Sequence, residues 1–212
     1  MPRNKYPEET VQTILDAAFK LFTEKGYENT TVLDIVDQMG GLTRGAFYHH
    51  FKSKEEVMSA LTEHMFYKDN PFEKVKGEEA LTGLEKLRQI MKNSLVDSDS
   101  RRISIQAIPL LKNPKFLAEL VESNRDMIVP AYQELIEEGI ADGSVHTSYP
   151  KQAAEILSFL TNFWLAPTIF PFDREEGIAR VRMIRKVTDD MGIPIFDNEI
   201  MYLIEAMLKE LE

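Results

Sequence analysis

The sequence has no cysteine and only one tryptophan, Trp164. Without cysteine there is no disulfide framework, no thiolate nucleophile and no thiolate metal site; a reducing cytoplasm is the compartment this composition suits. Long apolar runs are missing as well. Nothing reaches the roughly 18 residues a membrane span requires, and the start Met-Pro-Arg-Asn-Lys-Tyr-Pro lacks a signal-peptide core. The expectation is a cytoplasmic protein with no membrane partner. There is also no glycine-rich phosphate loop and no H-E-x-x-H pair. The four histidines, His49, His50, His64 and His146, offer no metal spacing beyond one adjacent pair. Carboxylate neighbours such as Glu137-Glu138 and Asp189-Asp190 read as solvated faces. The sequence therefore points away from an enzyme and implies neither a metal nor a cofactor.

A surplus of positive charge is lacking too. The formal net charge is −10, from 25 Lys/Arg against 35 Asp/Glu, and by itself this argues against a nucleic-acid partner. The distribution argues the other way. Residues 1–54 hold seven cations (Arg3, Lys5, Lys20, Lys25, Arg44, Lys52, Lys54) and seven carboxylates, so the rest of the chain carries the whole negative excess. Within that neutral part, Thr43-Arg44-Gly45-Ala46-Phe47-Tyr48-His49-His50-Phe51-Lys52-Ser53-Lys54 has three cations, two histidines and a phenol, and no carboxylate. An acidic body joined to a locally basic head is repelled by a phosphate backbone everywhere except at the head.

What is present is apolar periodicity of the helical kind. Val11, Ile14, Leu15, Ala18, Leu21 and Phe22 form one stripe, with Gly26 as the stop and Tyr27 covering the end. Thr30-Thr31 cap a second helix, and Thr31 and Asp34 are spaced as an acidic capping box. Its inner positions are Val32, Ile35, Val36 and Met39, and Gly40-Gly41 end it. Thr43 is placed to cap a third helix. At about 100° per residue, Arg44, Gly45, Tyr48 and His49 share one face of it, and Thr43, Ala46, Phe47 and His50 share the other. Ser53-Lys54-Glu55-Glu56 is an S-x-x-E box opening a fourth helix that runs to about residue 70. Two short helices joined by a glycine turn, after a longer packing helix, make a helix-turn-helix unit. A short helix with an apolar back and a cationic, hydrogen-bonding front suits a DNA major groove.

In order and spacing, the Leu21-Phe22 end of the first helix, the Gly26-Tyr27 pair, the double threonine, the glycine turn, Tyr48 and Phe51-Lys52-Ser53-Lys54 resemble the N-terminal domain of the TetR family of bacterial transcriptional regulators, over about residues 8–68. The resemblance implies an all-α fold. An N-terminal helix-turn-helix three-helix domain (1–54), with a connecting helix (53–70), joins a larger helical domain (71–212) that binds an effector and dimerises. It implies a sequence-specific transcriptional regulator, a repressor released by an unknown small-molecule effector. Such a protein acts as a homodimer on a palindromic operator in double-stranded DNA. The alternative is a DNA-binding regulator without a small ligand, controlled by protein partners. One departure stands out: Gly41 and Leu42 lie between the turn glycine, Gly40, and the capping Thr43, so the turn is one residue longer than the family's.

By face and by resemblance, Arg44 is the candidate for base readout, since its planar fork matches guanine O6 and N7; a phosphate contact is the other reading. Gly45 either lets the backbone approach the groove or relieves crowding at a helix start. Tyr48 resembles the family's phosphate-binding phenol, though a half-buried packing role also suits a tyrosine. His49 lies on the front, toward phosphate or a base edge. His50 points to the back and toward packing, although the family often places a histidine there on the DNA backbone. Thr31 and Lys54 sit at helix N-termini, where free N–H groups and the dipole favour phosphate. Thr43 joins them or simply caps. Arg3 and Lys5 form either a flexible arm or plain solvated charge.

The remainder reads as helix near 78–95, 100–111, 114–142, 150–169, 174–191 and 198–211, with Pro109, Pro130 and Pro167 inside helical segments as expected kinks. Large apolar groups here are more simply core than a ligand box. The resemblance nevertheless makes Met91, Ile105, Ile108, Phe116, Met127, Tyr132, Phe159, Phe163 and Trp164 candidates for an effector pocket. The body's acidity would suit a cationic effector, unless those carboxylates are plain surface. The resemblance also assigns self-association to two long helices. Ile156, Leu157, Leu160 and Trp164 are candidates on the first, and Ile178, Val181, Ile184 and Arg185 on the second; their own core is the competing destination. The stripe Ile200, Leu203, Ile204, Met207, Leu208 and Leu211 is expected to pack on its own body.

Overall fold

The structure, a computed structural model, describes residues 7–67, 70–96 and 107–209. Arg3, Lys5, Ile105 and Leu211 fall outside these, as does most of the helix expected near 100–111. Among the described residues every regular element is helical and there is no strand. The α-helices are α1 (Pro7–Glu24), α2 (Val32–Gln38), α3 (Arg44–His50), α4 (Lys54–Tyr67), α5 (Pro71–Lys76), α6 (Gly83–Val96), α7 (Pro114–Ser123), α8 (Val129–Asp142), α9 (Pro150–Phe159), α10 (Arg174–Asp190) and α11 (Asn198–Lys209).

Two compact units result. The described parts of residues 1–68 and 105–120 make the first, and those of 69–104 and 121–212 make the second. The first unit buries Ile14, Ala18 and Phe22 of α1, Ile35 of α2, Phe47 of α3, and Val57, Met58 and Leu61 of α4. Each such side chain removed from water contributes roughly 1.5–3 kcal/mol. Ala107, Leu110 and Phe116 belong to the same core. They come from a 3-10 turn (Ile108–Lys112) and the start of α7. Ser59 also donates a hydrogen bond to Glu119 (2.8 Å). The segment 107–120, expected in the body, thus packs into the head, because Leu110 and Phe116 are large apolar groups that complete its core.

In the second unit α6 and α8 touch backbone to backbone. A Cβ on Gly83 would lie 2.2 Å from the Gly139 nitrogen, so neither helix could approach as closely with a larger residue there. The N-terminus of α6 is capped from the end of α8 and the turn after it: Asp142 accepts from the Gly83 N–H (2.7 Å) and Ser144 from that of Leu84 (3.2 Å). Buried Lys86 pairs with Glu138 across the same contact. Helix α6 starts at Gly83 rather than near 78, because Thr82 and Glu85 form a capping box (Thr82 N–H to Glu85 2.8 Å, Glu85 N–H to Thr82 3.3 Å). Asn70 caps the additional helix α5 through the Phe72 N–H (2.9 Å), with Pro71 at its first position. As expected, α11 buries Ile200, Ile204 and Leu208.

The prolines do less kinking than expected. Pro109 opens the 3-10 turn, and Pro167 lies past the last helical residue of its segment. Pro130 enters α8 directly after a π-turn (Asn124–Ile128) whose last bond joins the Val129 N–H to the Asn124 carbonyl. A second π-turn (Leu160–Trp164) extends α9, ending it five residues short of the expected 169.

Candidate nucleic-acid interface

The scaffold of the candidate site is rigid because each connection in it is capped. Thr30 is buried and donates to the Gly26 carbonyl (2.8 Å), fixing the end of α1. Thr31 and Asp34 form the expected capping box of α2. Lys25 adds an ion pair to Asp34 (2.8 Å). Lys25 and the Thr31 hydroxyl and N–H together hold the Asp34 carboxyl well below the usual range. Gly40 and Gly41 then take φ of +62° and +104°, and neither has an atom within 4 Å of where a Cβ would sit. The extra residue of the turn is absorbed by two successive left-handed glycines. Thr43 accepts from the Ala46 N–H (3.2 Å), and α3 begins. At the next junction Ser53 accepts from the Glu56 N–H (3.3 Å), while Glu56 accepts from Lys52 rather than from Ser53 (2.7 Å).

Helix α3 is anchored by Phe47, which is wholly buried. Opposite it, Arg44, Gly45, Tyr48 and His49 are all exposed, as the helical face requires. The Arg44 guanidinium lies over the Tyr48 ring at 5.4 Å, which restricts the fork before any partner arrives. Gly45 has an ordinary helical backbone, and a Cβ there would meet only the Thr43 hydroxyl, at 3.6 Å. Among the described residues nothing demands glycine there, and a Cβ would not crowd the helix start.

His50 is set apart. It is half-buried, with a buried Nε2 that has no hydrogen-bond partner among the described residues, and burial, then His49, lowers its pKa below the ordinary value. Two residues expected at phosphates have partners within the chain. Lys54 donates to the carbonyls of Tyr27 (2.8 Å) and Thr30 (3.0 Å) and sits over the Tyr27 ring at 4.3 Å, so its ammonium ties α4 to the loop before α2. Thr31 is exposed, but its N–H and hydroxyl both bond to Asp34 (2.7 Å each), so a carboxylate already occupies that helix N-terminus. Lys52 was passed over in the sequence, although it lies in the same cation-rich stretch. It is exposed, and no ion pair engages its side chain among the described residues. Glu55 is held down to about 2, first by its own backbone N–H, with Ser53, Tyr27 and Lys115 adding to the effect.

An exposed arginine stacked on a tyrosine, on a capped helix after a glycine turn, can present a forked donor and a phenol to a DNA groove. Known proteins agree with that reading. Residues 14–61 match the family model for bacterial regulatory proteins of the tetR family, and residues 98–187 match the tetracyclin repressor-like C-terminal domain. The transcriptional repressor KstR2 of Rhodococcus jostii is 30% identical over 151 residues, covering 66% of this chain and 70% of that protein. The chain belongs to the TetR family. It is a DNA-binding transcriptional regulator of the helix-turn-helix type. Solved structures share the fold: a TetR-family regulator from Syntrophomonas wolfei (19% identity, TM-score 0.62, covering 96% of this chain and 95% of that one) and SmeT in complex with triclosan (23%, 0.61, 96% and 91%).

Away from the head, this TetR-family regulator redistributes the pocket candidates. Phe116 lies in the head's core and Ile108 is exposed on the same unit. Phe159 is 52% exposed, a surface position. Met91, Tyr132 and Phe163 are buried in the second unit, and Met127 and Trp164 are half-buried there. A groove of about 340 Å³ lined by Lys74, Val75, Glu78, Leu81, Gln89 and Asn93 includes none of them. The interface candidates divide as well. Leu157, Val181 and Ile184 are buried in their own unit and are not available to a partner, because the most apolar stripe of each helix goes to its own core. Leu160, Trp164, Ile178 and Arg185 are half-buried, while Ile156, Phe159 and Met183 are the exposed large apolar residues of α9 and α10. Met183 was not foreseen; its position one residue before Ile184 was the available signal.

Proposed function

We propose that this TetR-family regulator is a cytoplasmic, homodimeric repressor that two copies of α3 seat on a palindromic operator, and that an effector held in the second unit releases. Arg44 reads a base edge, and Tyr48, His49, Thr43 and Lys52 contact phosphates on either side. Gly45 admits the backbone to the groove. The observation that carries this reading is the exposed Arg44–Tyr48 pair beside a glycine that the fold itself does not require. Self-association through Ile156, Phe159 and Met183 is supported by their exposure on two long helices, a costly arrangement for a free surface. The triclosan complex of SmeT shows that a protein of this fold holds a small molecule, which supports the effector. The residues divide roles between the units without calling on a metal or a catalytic group.

The test is binding to the DNA upstream of the protein's own gene at moderate salt. A specific complex with two-fold stoichiometry is expected, and Arg44→Ala should weaken it by about 1–3 kcal/mol per head while relaxing base preference. Binding no better than to bulk competitor DNA would refute the proposal.

A further inference from the structure

We infer that the turn between α2 and α3 is itself a contact to the operator, in which the backbone N–H groups of Gly40 and Gly41 hold an oxygen of one DNA phosphodiester. The inference rests on the seating of α3 proposed above and names a backbone anchor for it.

A single left-handed glycine needs no ligand to explain it, since one commonly ends a helix and returns its N–H to the last carbonyls. This turn differs on both counts. It holds two such glycines in succession, at φ of +62° and +104°, and is one residue longer than the family's. Among the described residues neither glycine N–H bonds to a carbonyl, the last bonds back to α2 coming from Met39 to Ile35 and Val36 (3.1 and 3.2 Å). Both glycines are exposed, and no atom lies within 4 Å of where a Cβ would stand on either. Leu42, packed against the head's core, anchors the far side of the turn. Adjacent N–H groups in a turn of this kind, open on one side, form a concavity suited to an anion.

Position and charge identify that anion as DNA phosphate. Gly41 precedes Arg44 by three residues, a reach of at most about 11 Å, and the major groove is about 12 Å wide. A helix whose first residue meets a base edge therefore brings the turn before it to a flanking strand. Cations able to take that phosphate are few. Lys25 is paired with Asp34, and Lys54 is bound to two carbonyls, which leaves Arg44 and Lys52 around α3. Backbone N–H groups are regular phosphate donors in protein–DNA complexes. Being neutral, they release no counterion from the duplex, so this contact persists as salt rises where one made by lysine weakens. The extra residue of the turn thus supplies a donor as well as length.

The full-length protein, labelled with ¹⁵N in its ten glycines, is bound to a duplex that it selects from a randomised pool. The Gly40 and Gly41 amide resonances are expected to shift, and inorganic phosphate alone should not move them. Affinity is then compared for Gly41→Asp and Gly41→Asn, which tolerate a left-handed backbone alike and differ by one charge. Gly41→Asp is expected to bind about tenfold more weakly than Gly41→Asn, on every sequence alike. Replacing one phosphate at a time by an uncharged methylphosphonate should close that gap at a single position in each half of the duplex. Should either variant fail to fold, the same walk is read on the glycine resonances of the unsubstituted protein, where one replacement should reverse the shift. Unmoved Gly40 and Gly41 resonances, equal affinities of the two variants, or an effect that no single methylphosphonate removes would overturn the contact while operator binding stands. An equal shift with inorganic phosphate would assign the turn to free anions instead. If the pool yields no preferred duplex, both readings fall.

Discussion

Replacing Gly45 by alanine separates what the fold needs from what DNA binding needs. Gly45 is the second residue of α3, its backbone is not left-handed, and an added Cβ would meet nothing nearer than the Thr43 hydroxyl at 3.6 Å. Alanine in a helix is favoured over glycine by about 1 kcal/mol in an interior and somewhat less in a first turn, partly because glycine leaves the unfolded chain more freedom. The head should therefore become more stable by about 0.5–1 kcal/mol. The new methyl would sit on the exposed side with Arg44, Tyr48 and His49. If it holds the helix away from the base edges, a loss near the low end of one base contact, about 1 kcal/mol, is expected per head. Two heads then lose about 2 kcal/mol, roughly a thirtyfold weaker complex. Urea unfolding gives the first number, and fluorescence anisotropy with operator DNA at fixed salt gives the second. Lower stability would mean that the chain itself requires the glycine, and unchanged affinity would mean that the backbone never nears the groove. Either result refutes the reasoning.

The two lysines that flank Ser53 should behave oppositely. Lys54→Ala removes two charged hydrogen bonds to carbonyls and should cost about 1.5–3 kcal/mol of head stability. Lys52→Ala should leave unfolding unchanged but flatten the dependence of log K on log salt by about 0.9 per head; a reversal of these outcomes in melting and salt titrations would restore Lys54 as the phosphate contact. Glu55 is depressed from an ordinary 4.5 to about 2, so its contribution is present above the ordinary value and disappears as pH falls toward 2. Urea midpoints between pH 6 and 2 should fall less steeply in Glu55→Gln, and parallel curves would rule the contribution out. Phe116→Ala should cost about 3–5 kcal/mol and abolish DNA binding at 37 °C although residue 116 is remote in sequence from the helix-turn-helix; retained operator affinity in a gel-shift assay would contradict its place in the head.

The head was legible because its signals are local. Capping threonines at 31 and 43, the glycine turn and the Phe47 side of α3 are each set within a few residues, and α2 and α3 begin where those caps place them. What escaped was of two kinds. Asn70-Pro71 and Thr82 to Glu85 are also local signals, but a proline that ends one helix can start another, and a T-x-x-E box is easily lost inside an apolar stripe. The other kind is tertiary. Helical spacing shows that Leu157, Val181 and Ile184 are apolar; it does not say whether they meet their own core or a second chain, and burial decided for the core. Lys54 teaches the same lesson for charge. Its position at a helix start suggested phosphate, while the carbonyls that hold it lie 24 and 27 residues earlier.

The place of residues 107–120 bears on how such regulators can be recombined. A transplant cut after residue 70 would carry the whole helix-turn-helix and still leave behind Leu110 and Phe116, opening a void beneath α1 and α4. A chimaera built at that boundary should melt early and bind poorly for reasons unrelated to its recognition helix. Grafts that take both stretches, or that match the incoming residues at 110 and 116 to the new host, should keep their grip on DNA.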